Sequence, residues 1–215
     1  KKRINLSFSN ILPWLMLLFA YFWGSIPFGL LAGNIFYHKD IRKEGSGNIG
    51  ATNALRTFGT VTGLFVLLMD MAKGFIPVMI AISLLEKGSP FIAITALFVI
   101  LGHIFPIYLG FKGGKGVATA AGAFLALIPL SLLFALLAFI IVAAVFRYVS
   151  VASICAALVL EGHCFYQLLK NGKADYATLI LVTIVVLMII VKHKSNLERL
   201  VNKTEPKLKF TKKGN

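Results

Sequence analysis

Two folds compete for the run Gly45-Ser46-Gly47-Asn48-Ile49-Gly50-Ala51-Thr52-Asn53. Taken literally, Gly45-x-Gly47-x-x-Gly50 is a dinucleotide-binding fingerprint, which would make the chain an α/β protein. That meaning holds only where the motif leaves a strand and opens the helix of a βαβ unit. Here it follows a long apolar run, Ile11 to Tyr37, and a charged linker, so the Rossmann reading fails. What survives is physical. Glycines let the backbone turn with φ > 0, and successive N–H groups in such a turn make an anion-binding nest. Ser46, Asn48, Thr52 and Asn53 add small side chains that hydrogen-bond without adding charge. The run reads as a phosphate-binding loop at a membrane surface.

Around this loop the chain is mostly apolar. Of its 215 residues, 58% are hydrophobic and only 14% charged, with a mean hydropathy of +0.86. A soluble domain is nearer half apolar and a quarter charged, so this is the composition of an integral membrane protein. The net charge is +14, from 22 basic and 8 acidic residues. The cations gather in linkers and the C-terminal tail, which suits anionic headgroups and phosphorylated substrates rather than nucleic acid. Cys155 and Cys164 share one apolar segment, roughly 13 Å apart on a helix rising ~1.5 Å per residue, too far to bridge. Both are expected to be buried free thiols. With no Cys/His cluster at ligand spacing, neither a metal nor a cofactor is expected. Lys1-Lys2-Arg3 opens the chain without an initiator methionine, as a trimmed or tagged chain would.

A bilayer core of about 30 Å needs about 20 mainly apolar helical residues. Ile11 to Tyr37 supplies a first span, interrupted at Gly24-Ser25-Ile26-Pro27. Val61 to Leu85 is a second and holds Asp70 and Lys73. Phe91 to Leu109 is a third and holds His103 and Pro106. Gly116 to Phe146 is too long for one upright helix, and Pro129 divides it into helices over 117–128 and 131–146. Val151 to Leu169 and Tyr176 to Val191 complete seven spans, or six if one kinked helix runs across Pro129. The expected fold is an all-α integral membrane protein of seven transmembrane helices, some short or broken, with cytoplasmic glycine-rich loops. It reads as a single domain, 1–215, without internal repeats.

Charge asymmetry orients it. The linkers after spans one, three and five share a side with the tail, and together with it they carry 15 of the cations. The other side holds 6: Lys1, Lys2, Arg3, Lys87, Lys170 and Lys173. The richer side is expected to be cytoplasmic. The glycine-rich loop, Lys112–Gly116, Arg147 and the C-terminus then face the cytoplasm together.

Arg56, just beyond the loop, suits bidentate phosphate binding; the plainer alternative is a headgroup anchor. Phe111-Lys112-Gly113-Gly114-Lys115-Gly116 opens directly into a helix. It fails the Walker A pattern, because Leu109 and Gly116 stand where Gly and Ser/Thr are needed. A lysine in a glycine turn at a helix N-terminus still joins a point charge to the positive end of the dipole. Asp70 and Lys73 lie three apart on one face and are expected to pair structurally, because unpaired intramembrane charge is expensive. His103 reads as a helix-packing or carbonyl-bonded histidine. Ser25 either points its hydroxyl into a cavity or satisfies backbone freed by Pro27. Glu161 and His163 read as a local pair or as interface residues of the outer side. Ser150 reads as a helix N-cap. His193, Asn196 and Arg199 recur at three-residue steps, either as one helical face or as part of a solvated basic tail.

These pieces together resemble a known family. They are Gly24–Gly29, Gly45–Asn53 with Arg56, Asp70–Gly74, Leu101–Pro106, Gly110–Thr119, Arg147–Ser150 and the His193, Asn196, Arg199 series. In that order they resemble the bacterial integral-membrane acyl-phosphate:glycerol-3-phosphate acyltransferases of the PlsY type. The resemblance implies transfer of a fatty acyl group from acyl phosphate to the sn-1 hydroxyl of glycerol 3-phosphate. Lysophosphatidic acid and phosphate would be the products, in the first step of bacterial phospholipid synthesis. It also implies seven spans in the bacterial inner membrane with an external N-terminus; a monomer is expected to suffice. Carried onto matching positions, Ser46, Gly47, Asn48, Gly50, Ala51, Thr52, Asn53 and Lys115 would cradle the acyl phosphate. Arg56, Lys115, Ser150, His193 and Asn196 would bind glycerol 3-phosphate. The catalytic set would be Ser46, Arg56, Lys115, Ser150, His193 and Asn196, with Asp70 and Lys73 structural. Two positions depart from the family pattern: Lys192, where arginine is usual, and Lys203, where glycine is usual.

An acyl phosphate is an activated mixed anhydride, so no covalent enzyme intermediate is required. The task is positioning and electrostatics. The donor's own phosphate, with a second pKa near 6, can take the acceptor's proton. The competing class is a transporter of a phosphorylated metabolite, which would place its site at the midplane between repeat-related broken helices. Polar groups here gather at one membrane face instead. A lipid-binding scaffold is a third class.

Overall fold

The computed structural model describes residues 8–171 and 175–208, and all regular structure among them is helical. Of the cations counted above, Lys1, Lys2, Arg3, Lys173, Lys209, Lys212 and Lys213 lie outside the described residues. The chain divides into two compact units, Lys1–Leu127 and Ile128–Asn215.

The first unit runs α1 (Phe8–Gly24), α2 (Phe28–Tyr37), α3 (Ala51–Phe58), α4 (Thr60–Leu84), α5 (Pro90–Ile104) and α6 (Val117–Leu127), with 3-10 turns at Ile41–Lys43 and Ile107–Leu109. Lipid gives apolar helices no hydrophobic reason to associate, so close contact over small residues must hold them. A Cβ on Gly24 would fall 2.2 Å from the Val99 carbonyl oxygen, and one on Gly102 2.3 Å from that of Tyr21, so α1 and α5 touch backbone to backbone. Gly74 and Gly122 do the same for α4 and α6, at 2.0 and 1.9 Å from the carbonyls of Thr119 and Met71.

The first span breaks at Ser25–Pro27, as expected. Ser25 Oγ donates to the Tyr21 carbonyl at 2.8 Å, which the Ser25 N–H also reaches at 3.0 Å, so the hydroxyl bonds backbone, but not a group that Pro27 frees. Helix α3 is a difference: it lies in what reads as a loop. Its residues are modest helix formers, and a helix this short is stabilised by packing rather than propensity. Asn53 and Ala54 are buried, and Leu55 sits so close to α4 that a Cβ on Gly63 would fall 2.6 Å from it.

The second unit runs α7 (Pro129–Phe146), α8 (Val149–Asn171), α9 (Tyr176–Lys192) and α10 (Lys194–Val201). Pro129 occupies the first turn of α7, where its missing N–H goes unneeded, which is why the long apolar run divides there. Glu161 and His163 do not pair with each other. Glu161 Oε1 accepts from Thr183 Oγ1 at 2.8 Å, whereas His163 Nδ1 meets Ser131 Oγ at 2.9 Å. Two residues apart on a helix they point to different neighbours, and α8 uses one against α9 and the other against α7. Cys155 and Cys164 are free, as expected, but only half-buried.

Among the described residues, five stretches are long and apolar enough to cross a membrane: Asn10–Tyr37, Thr60–Leu84, Pro90–Leu109, Pro129–Phe146 and Val149–Lys170. Helices α9 and α10, bent by 47° at His193, make a sixth if counted as one span. The seven-span expectation falls short at 117–128. With 11 residues, α6 reaches only about 16 Å at ~1.5 Å per residue, about half a bilayer core.

Candidate active site

Gly45 and Gly47 take φ of +57° and +70°, the left-handed turn that their type permits. The loop they form is held from inside by Asn53. Its Oδ1 accepts from the Ser46 N–H at 2.9 Å. Its Nδ2 faces the carbonyls of Ile41, Glu44 and Asn48 at 3.2, 3.0 and 2.8 Å. The Gly47 N–H donates to the Glu44 carbonyl, and the Gly50 N–H to Asn48 Oδ1, both at 2.9 Å. Three N–H groups of the expected nest are therefore spent on the loop itself. Asn53, 2% exposed, is a frame rather than a ligand-facing group. Ser46 and Gly47 remain on the surface, and Arg56 stands half-buried on α3. At the loop's base Asp40 accepts from the backbone and side chain of Arg42, and the Arg42 hydrogen bonds hold its carboxyl down at about 2.

The second glycine turn is likewise closed inward. The Gly113 N–H donates to the Ile104 carbonyl at 3.2 Å and the Gly114 N–H to that of His103 at 3.1 Å, satisfying carbonyls that the end of α5 leaves open. Lys115 follows, half-buried, and Gly116 at φ +83° leads into α6. Asp70 and Lys73 pair at 2.8 Å, both buried. His103 lies buried beside them, its Nδ1 3.6 Å from Asp70 Oδ1.

In the second unit Ser150, Asn196 and Arg199 meet on one carboxylate that spacing did not reveal. Ser150 Oγ and Asn196 Nδ2 donate to Glu205 Oε1 at 3.0 and 2.8 Å, and Arg199 Nε donates to Oε2 at 2.9 Å. Ser150 is therefore no N-cap. Helix α8 already starts at Val149, and the hydroxyl turns to Glu205 instead. Burial pushes the Glu205 carboxyl up, but hydrogen bonds from Asn196, Arg199 and Ser150 outweigh it and hold the group below its ordinary value. The His193, Asn196, Arg199 series is thus an ordered face, not a solvated tail. His193, 2% exposed, has Nδ1 2.8 Å from the Ile189 carbonyl. A carbonyl only accepts, so Nδ1 carries the proton in this contact. The tail is tied back by the Leu208 N–H on the Arg147 carbonyl at 2.7 Å, with Lys207 Nζ 5.4 Å from the Tyr148 ring centre.

Helix bundles of small-residue contacts carrying two ordered polar clusters, on stretches long enough to span a bilayer, define a polytopic membrane protein with an enzyme-like site. Residues 14–203 match the family described as glycerol-3-phosphate acyltransferase, and the chain belongs to that family. It is 46% identical to the glycerol-3-phosphate acyltransferase of Trichlorobacter lovleyi, over 88% of this chain and 94% of that one. It is 41% identical to that of Staphylococcus aureus strain Newman, over 91% and 97%. Its fold matches the crystal structure of PlsY (YgiH), an integral membrane glycerol 3-phosphate acyltransferase, in the glycerol 3-phosphate form. The TM-score is 0.84 at 36% identity, covering 92% of this chain and 96% of that one. The lysophosphatidic acid form of that protein matches at 0.81, again at 36% identity, over 92% and 95%. The chain is an integral membrane protein with transmembrane helices.

Proposed function

We propose that this protein transfers a fatty acyl group from acyl phosphate to the sn-1 hydroxyl of glycerol 3-phosphate, forming lysophosphatidic acid and phosphate. The observation that carries the reading is the likeness, over 92% of the chain, to an acyltransferase structure in its glycerol 3-phosphate form. The loop of Ser46, Gly47, Asn48, Gly50, Ala51 and Thr52, framed by Asn53, holds the acyl phosphate together with Lys115. Arg56, Lys115, Ser150, His193 and Asn196 hold glycerol 3-phosphate. The acceptor oxygen attacks the acyl carbonyl carbon, the carbon–oxygen bond to phosphate breaks, and the proton passes to the leaving phosphate. Cations beside that phosphate stabilise the charge that develops on it. The protein sits in the bacterial inner membrane as a monomer, with its site and C-terminus cytoplasmic.

Purified protein in detergent or monoolein, given palmitoyl phosphate and labelled glycerol 3-phosphate, is expected to make labelled lysophosphatidate. Arg56→Ala and Lys115→Ala should each lower kcat/KM by about tenfold or more. Two variants with intact turnover and Michaelis constants would sink the site assignment. If His193→Ala leaves residual activity with a shifted pH profile, His193 and not the donor phosphate is the base.

A further inference from the structure

The buried ion pair takes no part in that chemistry, yet charge inside a membrane span is costly to keep. Lys73 Nζ lies 2.8 Å from Asp70 Oδ1 and also donates to the Ile26 carbonyl at 2.8 Å, in the break of the first span. Asp70 Oδ1 in turn faces His103 Nδ1. The far edge of the same imidazole bears on the second glycine turn. A Cβ on Gly114 would fall 2.1 Å from His103 Nε2, with Cε1 and Cδ2 of the ring next at 2.8 and 3.1 Å. Below the ring, the His103 carbonyl accepts the Gly114 N–H. One imidazole, faced on its Nδ1 side by a buried carboxylate, is therefore the surface on which Gly114 rests. Gly114 is bonded directly to Lys115.

We propose that His103 is a positioning residue for Lys115, with Asp70 and Lys73 as a buried brace that fixes the ring. The inference rests on the reading of Lys115 as a phosphate ligand. A brace that served stability alone would not need its ring against the residue that precedes that lysine. Gly113 supplies the contrast. A Cβ there would meet the His103 carbonyl oxygen at 2.2 Å and Pro106 Cδ at 2.4 Å, neither of which belongs to the imidazole. Truncating the imidazole therefore makes room at Gly114 and none at Gly113.

The test measures kcat/KM and thermal unfolding in detergent for Gly114→Ala, Gly113→Ala and Lys115→Ala, alone and combined with His103→Ala. Gly114→Ala should lower kcat/KM by about tenfold or more, since a displacement of order 1 Å at a site is that damaging. Adding His103→Ala should bring it back to the level of His103→Ala alone, while Gly113→Ala gains nothing. In the Lys115→Ala background, Gly114→Ala should add no further loss, because its effect passes through that lysine. If Gly114→Ala does not accumulate, recovery of folded, active double variant supports the inference, and failure to recover it counts against. Equal rescue of Gly113→Ala, or losses at Gly114 and Lys115 that multiply, overturn it. A disabled Lys115→Ala beside a non-rescuing pair sinks the inference alone; a fully active Lys115→Ala sinks the site reading and the inference with it.

Discussion

The two units order their polar groups by opposite means. In the first, the loop before α3 is framed by a neutral amide, Asn53, whose partners are backbone groups of its own loop. In the second, one carboxylate, Glu205, gathers three side chains, one from α8 and two from α10. A neutral frame is indifferent to pH and depends on loop shape. A carboxylate frame depends on its ionisation and on the donors that converge on it. The comparison can be broken at either end.

The largest effect is expected at Glu205. Glu205→Ala removes the acceptor on which Ser150, Asn196 and Arg199 converge, and hydrogen bonds to a charged group are worth about 1.5–3 kcal/mol each. A loss of about 3 kcal/mol in unfolding free energy is expected, with activity falling alongside it. Wild-type stability in this variant would show that the carboxylate does not organise the cluster. The pH dependence carries the sign of a depressed carboxyl. The contribution is complete above the unfolded-state value of 4.5 and is lost as pH falls through the lower folded-state value. Stability followed downward from about pH 5 should therefore fall more steeply for the wild type than for Glu205→Gln, whereas the Asn53 frame adds no slope.

Asn53→Asp is the matching break in the first unit. The substitution keeps the oxygen that accepts from Ser46 but replaces the amide with an acceptor facing three carbonyls. It should cost about 2 kcal/mol, more than Asn53→Ala, because buried oxygens then face one another without a proton between them. An Asp variant as stable as wild type would mean that the loop is held by its glycines and not by the amide.

Much of this was legible in the chain itself. Hydropathy placed every long apolar helix, and Pro129 and Pro27 marked real breaks. The polar loops were recognisable because so few polar residues interrupt the oil. Their inner wiring was not. A run of glycines advertises N–H donors but not where they point, and Ser46, Gly47, Gly50, Gly113 and Gly114 all donate inward. Gly113 and Gly114 are small because His103 lies against them, not because backbone there reaches out to a ligand. Glu205 was invisible for a different reason: Ser150 is 55 residues away along the chain. Helix spacing tests only near neighbours. It put His193, Asn196 and Arg199 on one face without saying what that face meets. Helix α3 escaped because packing against Gly63, rather than its own propensity, makes it helical.

Lys203 gives the finest test of the contrast. The first unit's loop places glycine at its left-handed positions, Gly45 and Gly47, but the second unit turns at Arg147 and Lys203, with φ of +62° and +57°. At Lys203 the turn closes α10. The N–H groups of Thr204 and Glu205 both donate to the Arg199 carbonyl, at 2.8 and 3.1 Å, which delivers the Glu205 side chain to Asn196 and Arg199. A left-handed residue with a Cβ is strained by roughly 1–2 kcal/mol, and glycine at such a helix end removes that strain. Against this, glycine adds roughly 0.5–1 kcal/mol of freedom to the unfolded chain. The net expected for Lys203→Gly is about 0.5 kcal/mol of stabilisation, a rise of about 1–2 °C in unfolding midpoint for a chain of this size. Turnover should not change, because the backbone already has the shape that glycine prefers. A lowered midpoint would show that the lysine side chain contributes more there than its backbone strain takes away.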